Sequence, residues 1–498
     1  ELIRMAKMLL LEPEDVKFNN DFPGWFAEIY ARYQELLTRE NVLDFDDLIF
    51  KMVKALLDEE TARKIRQRFN FIFVDEYQDL DFAQHQLVKK LVGEKGTLCV
   101  IGDPDQSIYG FRGASPEFFE KFLEDYPDAE VIELSKCFRS SDQILMASAQ
   151  VLAKWNRLCL SGRAGPRLRI IEQPTERAEA EFVISEIEKL LGGVGFFSMD
   201  SARVASGVQA EIKGFSEIAV LFRTSAQAEA LVEAFSRSGI PYQILSESPL
   251  ESKFFKMGLW IVQIISGSTG RGLIEFSLSE IFKNERSYPK DQSELLQWLK
   301  EKSDNAQAKV LLDLLQKAEE LSAPEIVDKA FSVAPSQEED SNEKDLVKDW
   351  VLHLIKRRAK EKGIRSASEV WETLRLASSQ DFYDPRADRV SLLTIHSAKG
   401  LEFEVVFVVG CEEGIIPHIS ARTEREKSEE ARLFYVAMTR AKRLVYLSWA
   451  RKRSIRGMIS EQKRSGFLER IEKELLDSLK PELKPLKPKS KQLGLFEK

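Results

Sequence analysis

Two short apolar runs, each ending in acidic residues, constrain this chain more than anything else in it. Phe71-Ile72-Phe73-Val74 leads into Asp75-Glu76, and Leu98-Cys99-Val100-Ile101 leads into Gly102-Asp103, with a helical stretch between them. Runs this apolar predict strands covered on both faces, the pattern of a parallel sheet with helical crossovers. In open sheets of that kind, ligands gather at the carboxyl ends of the strands. A second series, at 168–171, 217–222, 389–393, 405–410 and 444–448, repeats the pattern and predicts a second α/β domain.

Elsewhere the period changes. Residues 1–42 carry Phe26, Ile29, Tyr33, Leu36 and Leu37 at helical spacing, and Asp44 is placed to cap the helix that follows. The span 248–385 has helical periodicity and no comparable strand runs, so it reads as a helical domain inserted into the second α/β domain. Within it, 336–349 is acidic and polar and predicts a solvated loop. Lys356, Arg357, Arg358, Lys360, Lys362 and Arg365 form a basic cluster that suits either duplex phosphate or plain solvent. The Lys/Pro-rich stretch 471–498 predicts a flexible tail.

Composition excludes several classes. A formal net charge of -8 rules out a uniformly basic coat, so any nucleic acid must be met by local patches or by stacking. No run approaches the roughly 18 apolar residues of a membrane span and no signal-peptide pattern opens the sequence, so no membrane partner is expected; cysteines without a C-x-x-C pair fit a reducing cytoplasm best. The four cysteines are scattered and there are only four histidines, a poor basis for a metal centre or a disulfide framework.

The chemistry sits at the ends of the first two runs. Asp75 at a strand end is suited to hold Mg²⁺ on a nucleotide, and Glu76 to orient or deprotonate an attacking water. An isolated Asp-Glu pair is more often just an acidic turn; the neighbouring residues argue otherwise here. After the second run, Gly102-Asp103-Pro104-Asp105-Gln106-Ser107-Ile108-Tyr109-Gly110-Phe111-Arg112-Gly113-Ala114 supplies Gln106 and Arg112 for a γ-phosphate. Tyr109 and Phe111, two residues apart, would point the same way in extended chain and offer faces for bases, each stack contributing roughly 1–3 kcal/mol.

Together these segments resemble motifs II and III of the UvrD/Rep/PcrA helicases of superfamily 1, and further matches follow in that family's order. Leu134-Ser135-Lys136-Cys137-Phe138-Arg139-Ser140-Ser141 resembles motif IV. Ile218 to Gln227 with Gly239-Ile240-Pro241-Tyr242 resembles the strand–helix unit after it. Thr394-Ile395-His396-Ser397-Ala398-Lys399-Gly400-Leu401-Glu402-Phe403 resembles motif V, and Glu429 to Ala441 resembles motif VI.

The resemblance implies two RecA-like parallel-sheet domains, the first incomplete, with helical inserted subdomains. It divides the chain into a 1B-like remnant (1–42), the first RecA-like domain (43–131), the second (132–247 and 386–470) and a 2B-like insert (248–385). It also implies an ATP-driven helicase using Mg²⁺, moving 3′ to 5′ on single-stranded DNA and acting at junctions of single and double strand, in repair or replication restart. By the same resemblance Gln106, Arg112, Arg139 and Arg440 converge on the γ-phosphate, the last two as arginine fingers from the opposite lobe, a device worth 10³–10⁵ in rate elsewhere. Glu402 would contact the ribose. Tyr109 and Phe111 would line the single-strand channel, and Arg223, Thr394 and His396 would touch its backbone.

The sequence departs from the pattern in one large way. The family's G-x-x-x-x-G-K-[ST] loop, whose N–H groups and lysine cradle the phosphates, has no counterpart: no Gly-Lys dipeptide occurs in the sequence. The first residue is Glu1, so the expectation is a truncated longer protein whose present part hydrolyses ATP poorly and whose first sheet lacks a neighbour strand. The alternatives are a non-catalytic DNA-binding subunit, or a nuclease built on Asp75, Glu76 and Asp79. Smaller departures are Cys137 and Phe138 where Asn-Tyr is usual, and Ser225 where Asn is common. At the far end, Gln492-Leu493-Gly494-Leu495-Phe496 resembles the pentapeptide that docks on the bacterial sliding clamp.

Overall fold

The computed structural model describes residues 1–498 except 20, 94–95, 154–159, 193–211, 246–249, 251, 269–271, 284, 286, 303, 335–340, 378, 456–457 and 480–498. The chain divides into two compact units, one formed by residues 1–131 and 243–387, the other by 132–242 and 388–498. The Gln492–Phe496 motif lies outside the described residues.

In the first unit, strands β1 (Phe71–Val74) and β2 (Thr97–Val100) pair in parallel, Phe71 opposite Thr97 and Val74 opposite Val100. The crossover helix Phe82–Val92 starts at a capping box in which Asp81 accepts from the Gln84 backbone and Gln84 returns the contact. Helix Phe45–Ala55 begins the same way at Asp44, as its sequence predicts. Lys7 is fully buried against this cap, 2.6 Å from Asp44 and 2.9 Å from Asp47, so an otherwise prohibitive buried cation is neutralised twice.

The expectation of strands covered on both faces fails for this pair. Burial alternates along both strands, and Phe71 and Phe73 stand 65% and 71% exposed. The physical reason is the width of the sheet. Its helices, with Tyr77, Phe118 and Phe122 at their centre, cover one face only.

The helical span of the same unit builds its own core from Phe255, Ile261, Leu278, Leu295, Leu311, Ile326, Phe331, Val351 and Val370. The predicted loop 336–349 is corrected here: a helix runs Ser341–Lys362. Val347, Val351, Leu354 and Ile355 are buried in the core at helical spacing, a sparse apolar stripe hidden among charges. The basic cluster is partly structural. Arg357 donates to the Tyr383 carbonyl at 3.0 Å, and Arg358 pairs with Asp381 at 2.6 Å.

The second unit carries seven strands of an eight-stranded sheet, β3 (Leu168–Thr175), β4 (Ile218–Phe222), β6 (Val390–Thr394), β7 (Phe403–Val408), β8 (Ala441–Ile455), β9 (Met458–Glu461) and β10 (Leu476–Leu479); the eighth, β5 (Tyr242–Leu245), leaves that unit after Tyr242. The order is β10-β3-β8-β7-β4-β6-β5, with β9 returning antiparallel on β8. Pairings from β10 through to β6 are parallel. Every residue of β4 and β6 is buried, which requires cover on both faces. Residues 471–479, expected in a flexible tail, instead fold against this sheet: β10 pairs with β3, and Ile471 and Leu475 are buried. The mixed α/β architecture with parallel sheets is the one the sequence predicts.

Candidate nucleotide and nucleic-acid site

The ends of β1 and β2 meet through side chains. Asp75 accepts from the Glu76 backbone N–H at 2.8 Å, and Glu76 takes a left-handed φ of 51°. A non-glycine residue there is strained, and such strain gathers at functional positions. The strand ends are tied by Gln78, which is fully buried. Its amide nitrogen donates to Glu76, and its amide oxygen accepts from the Asp103 backbone at 3.0 Å. Asp103 in turn accepts from the Gln106 side chain at 2.8 Å. The structure therefore brings Asp75, Glu76 and Gln106 to one carboxyl edge. Gln78 and Asp103, which sequence reasoning missed, link Glu76 to Gln106.

Further along, the extended-chain picture of Tyr109 and Phe111 is corrected. Gly110–Arg112 is a 3₁₀ turn, and the rings meet edge-on, centroids 6.1 Å apart at 60°. Arg112 lies over both, 5.3 Å from the Tyr109 ring and 5.5 Å from that of Phe111. Phe111 is 63% exposed, whereas burial, with help from Asp79, raises the Tyr109 hydroxyl pKa. Arg112 thus packs with the aromatic pair, a cation–π arrangement of ordinary strength.

In the second unit, the candidate residues fall at opposite edges of the sheet. At the amino edge, Glu402 precedes β7 and Arg440 precedes β8. Arg139 donates to Glu402 at 2.8 Å, and Lys442 pairs with the other carboxylate oxygen at 3.0 Å. The Lys442 contact, then that of Arg139, holds Glu402 below the usual carboxylate range although burial opposes it. The segment carrying Arg139 is fastened by Ser140 to the Ala441 carbonyl at 2.6 Å, and by the Ser141 N–H to Lys442 at 3.0 Å. Arg440 is 1% exposed and donates to the carbonyls of Val436 and Leu401 at 3.1 and 3.3 Å. It is a buried residue, not a surface arginine.

At the carboxyl edge, Arg223 follows β4, Thr394 ends the adjacent β6, and His396 lies in the turn after it. The Thr394 hydroxyl is 2.8 Å from that of Ser397 and accepts the Ser397 N–H at 3.2 Å, so it caps its own turn. Arg223 is held by Glu430 through contacts of 3.1, 3.2 and 2.8 Å, and Glu430 also accepts the His418 backbone N–H at 2.9 Å. Glu430 and His418 were missed as site residues. The only hint was the acidic start of the motif VI resemblance. Burial beside Arg223 pushes the His418 pKa down.

Two features tie the edges together. The connection 395–402 runs from the carboxyl end of β6 to the amino end of β7, the length of the sheet. Helix Glu424–Thr439 carries Glu430 near one edge and is capped by Arg440 at the other.

The residues fit Mg²⁺ held on a nucleotide. Among the described residues no cluster of three or more His, Cys, Asp or Glu could cage a metal ion. Mg²⁺ on nucleotides does not need one, since one or two carboxylates and phosphate oxygens suffice. Asp75, a hard oxygen donor exposed at a strand's carboxyl end, is such a ligand.

Mixed α/β architecture with parallel sheets is that of RecA-like helicase domains. The chain belongs to the UvrD-like helicase family. The UvrD/REP helicase N-terminal domain model matches residues 1–127, and the UvrD-like helicase C-terminal domain model matches 132–266 and 269–452. It is 33% identical over 521 residues to the ATP-dependent DNA helicase PcrA of Staphylococcus epidermidis strain RP62A, covering 96% of this chain and 68% of that protein. To the protein of the same description from Staphylococcus aureus strain Mu50 it is 32% identical over 494 residues, covering 91% and 65%. The chain spans about two thirds of the length of these relatives. Among the described residues no helix is long and apolar enough to cross a membrane.

Proposed function

We propose that this chain is the greater part of an ATP-driven DNA motor that moves 3′ to 5′ on single strands and opens junctions in repair or replication restart. The observation that carries the reading is the joined carboxyl edge of β1 and β2, where Gln78 and Asp103 link Glu76 to Gln106 and Asp75 accepts the Glu76 N–H beside them. Asp75 would hold Mg²⁺, which when bound would supply neutralisation of charge on the nucleotide's phosphates. Glu76, fixed by Gln78, orients the attacking water and takes its proton. Gln106 reads the γ-phosphate. Arg139, Arg440 and Arg112 are the guanidinium groups proposed to stabilise its developing charge, and Glu402 to meet the ribose. Tyr109 and Phe111 stack on bases, while Arg223, Thr394 and His396 meet the backbone. The cytoplasm is the proposed setting. Gln492, Leu493, Leu495 and Phe496 are proposed to dock on the sliding clamp.

Because no G-x-x-x-x-G-K occurs in these residues, the chain alone is proposed to hydrolyse ATP very slowly. The test compares single-strand-stimulated ATP hydrolysis by this chain with that of a version extended by a segment bearing the loop. The extended version should be faster by orders of magnitude and lose that rate in Glu76→Gln. Equal rates would overturn the role given to the loop. DNA binding indifferent to ATP in the extended version would favour a non-catalytic subunit, and metal-dependent DNA cleavage without ATP a nuclease.

A further inference from the structure

We propose that Glu430 is an electrostatic gate on Arg223, withholding its guanidinium from DNA phosphate in the resting chain. The inference rests on the reading that the carboxyl edge of the second sheet meets the nucleic-acid backbone. It adds a control on one of the residues involved.

Three observations carry it. The first is geometry. Nε of Arg223 lies 3.1 and 3.2 Å from the two Glu430 oxygens and Nη2 lies 2.8 Å from one, so the carboxylate occupies a whole edge of the guanidinium fork. A phosphate seeks that same bidentate edge, and a cation already neutralised adds little to its attraction.

The second is how firmly the acid is held. Glu430 is 9% exposed in its side chain, against 20% for Arg223. It belongs to helix Glu424–Thr439 and also accepts the His418 N–H at 2.9 Å. Glu430 stays while the arginine can leave.

The third is the anchoring of Arg223. Its backbone N–H, and that of Thr224, donate to the Gln227 side chain at 3.0 Å, and Gln227 reaches the Val409 carbonyl at 3.4 Å. The main chain is pinned and only the side chain has freedom to switch. The charged and titratable groups in contact are Arg223, Glu430 and His418. The His418 Nδ1 faces the Ser420 hydroxyl at 2.7 Å. The carboxylate is therefore the local anion that phosphate must displace.

The test is binding of a fluorescein-labelled oligothymidylate to the whole chain, read by anisotropy across a salt series. In Glu430→Gln the fork is released to one further phosphate. Binding should tighten roughly eightfold at 50 mM salt, and the slope of log K against log salt should steepen by about 0.7. Glu430→Ala should do the same, with thermal melts confirming that both variants fold. In the double variant Arg223→Gln with Glu430→Gln, the gain should vanish. Binding no tighter than wild type, at an unchanged slope, overturns the gate, as does a gain that survives in the double variant. If neither wild type nor the folded variants bind the oligonucleotide, the nucleic-acid reading of this edge fails and takes the gate with it.

Discussion

In β4 every residue from Ile218 to Phe222 is completely buried, whereas in β1 Phe71 and Phe73 remain largely in solvent. The two strands are equally apolar by sequence. What separates them is company: β4 lies between β7 and β6, while β1 pairs with β2 alone among the described strands. An apolar run states that a strand wants cover. It does not state that cover is present. The burial of a strand belongs to its sheet, and a sheet of two cannot do for its faces what a sheet of eight does.

The comparison can be broken by mutation. The largest effect belongs to the polar network behind the covered sheet, where Arg453 donates to Glu179 and Glu412 at 2.6 Å each. Arg453→Met strands two buried carboxylates and should destabilise the second unit by about 3–5 kcal/mol in urea melts. A loss under 1 kcal/mol would mean the network is better solvated than its burial indicates. Next, Leu221→Ala in β4 should cost about 2–5 kcal/mol, while Phe73→Ala in β1 stays within about 0.5 kcal/mol. Similar costs at the two positions would show that the β1 face is covered in solution, and sedimentation at rising concentration would reveal whether a second copy covers it.

A smaller effect sharpens the picture of the first unit. Asp81→Ala removes the cap of helix Phe82–Val92 and should cost about 1 kcal/mol, with no change in the melting of the second unit. The smallest is a pH effect in the same unit. Burial holds the His85 ring below the ordinary histidine range despite Asp125 nearby. The unfolded chain therefore takes up a proton that the folded unit refuses, and stability falls as pH drops through the ordinary histidine range, levelling off below the folded value. His85→Gln should flatten that dependence in melts between neutral and mildly acidic pH.

The legibility of the molecule followed contiguity. The acidic strand ends, the Gln106 loop and the aromatic pair were readable because their residues lie side by side in the sequence. The partners that fix them were not. Gln78 looks like an ordinary polar residue until its two contacts across the strand ends are seen. Arg223 and Glu430 are 207 residues apart, and no local pattern joins them. The helix Ser341–Lys362 was hidden because its apolar stripe is sparse and its first turns are acidic. Strand β10, Leu476-Asp477-Ser478-Leu479, is too short and polar to announce itself. It exists because β3 offers it an edge.

Helix Glu424–Thr439 has a mechanical consequence. Glu430 and Arg440 are separated along it by roughly 15 Å of unbroken hydrogen-bonded backbone. A body that stiff transmits displacement without a relay: a slide along its axis carries both positions together. The grip on Arg223 and the seat of Arg440 are thus two ends of a single tie-rod: displacing the helix as a body is felt at both, while the Arg223 side chain keeps its own freedom to leave.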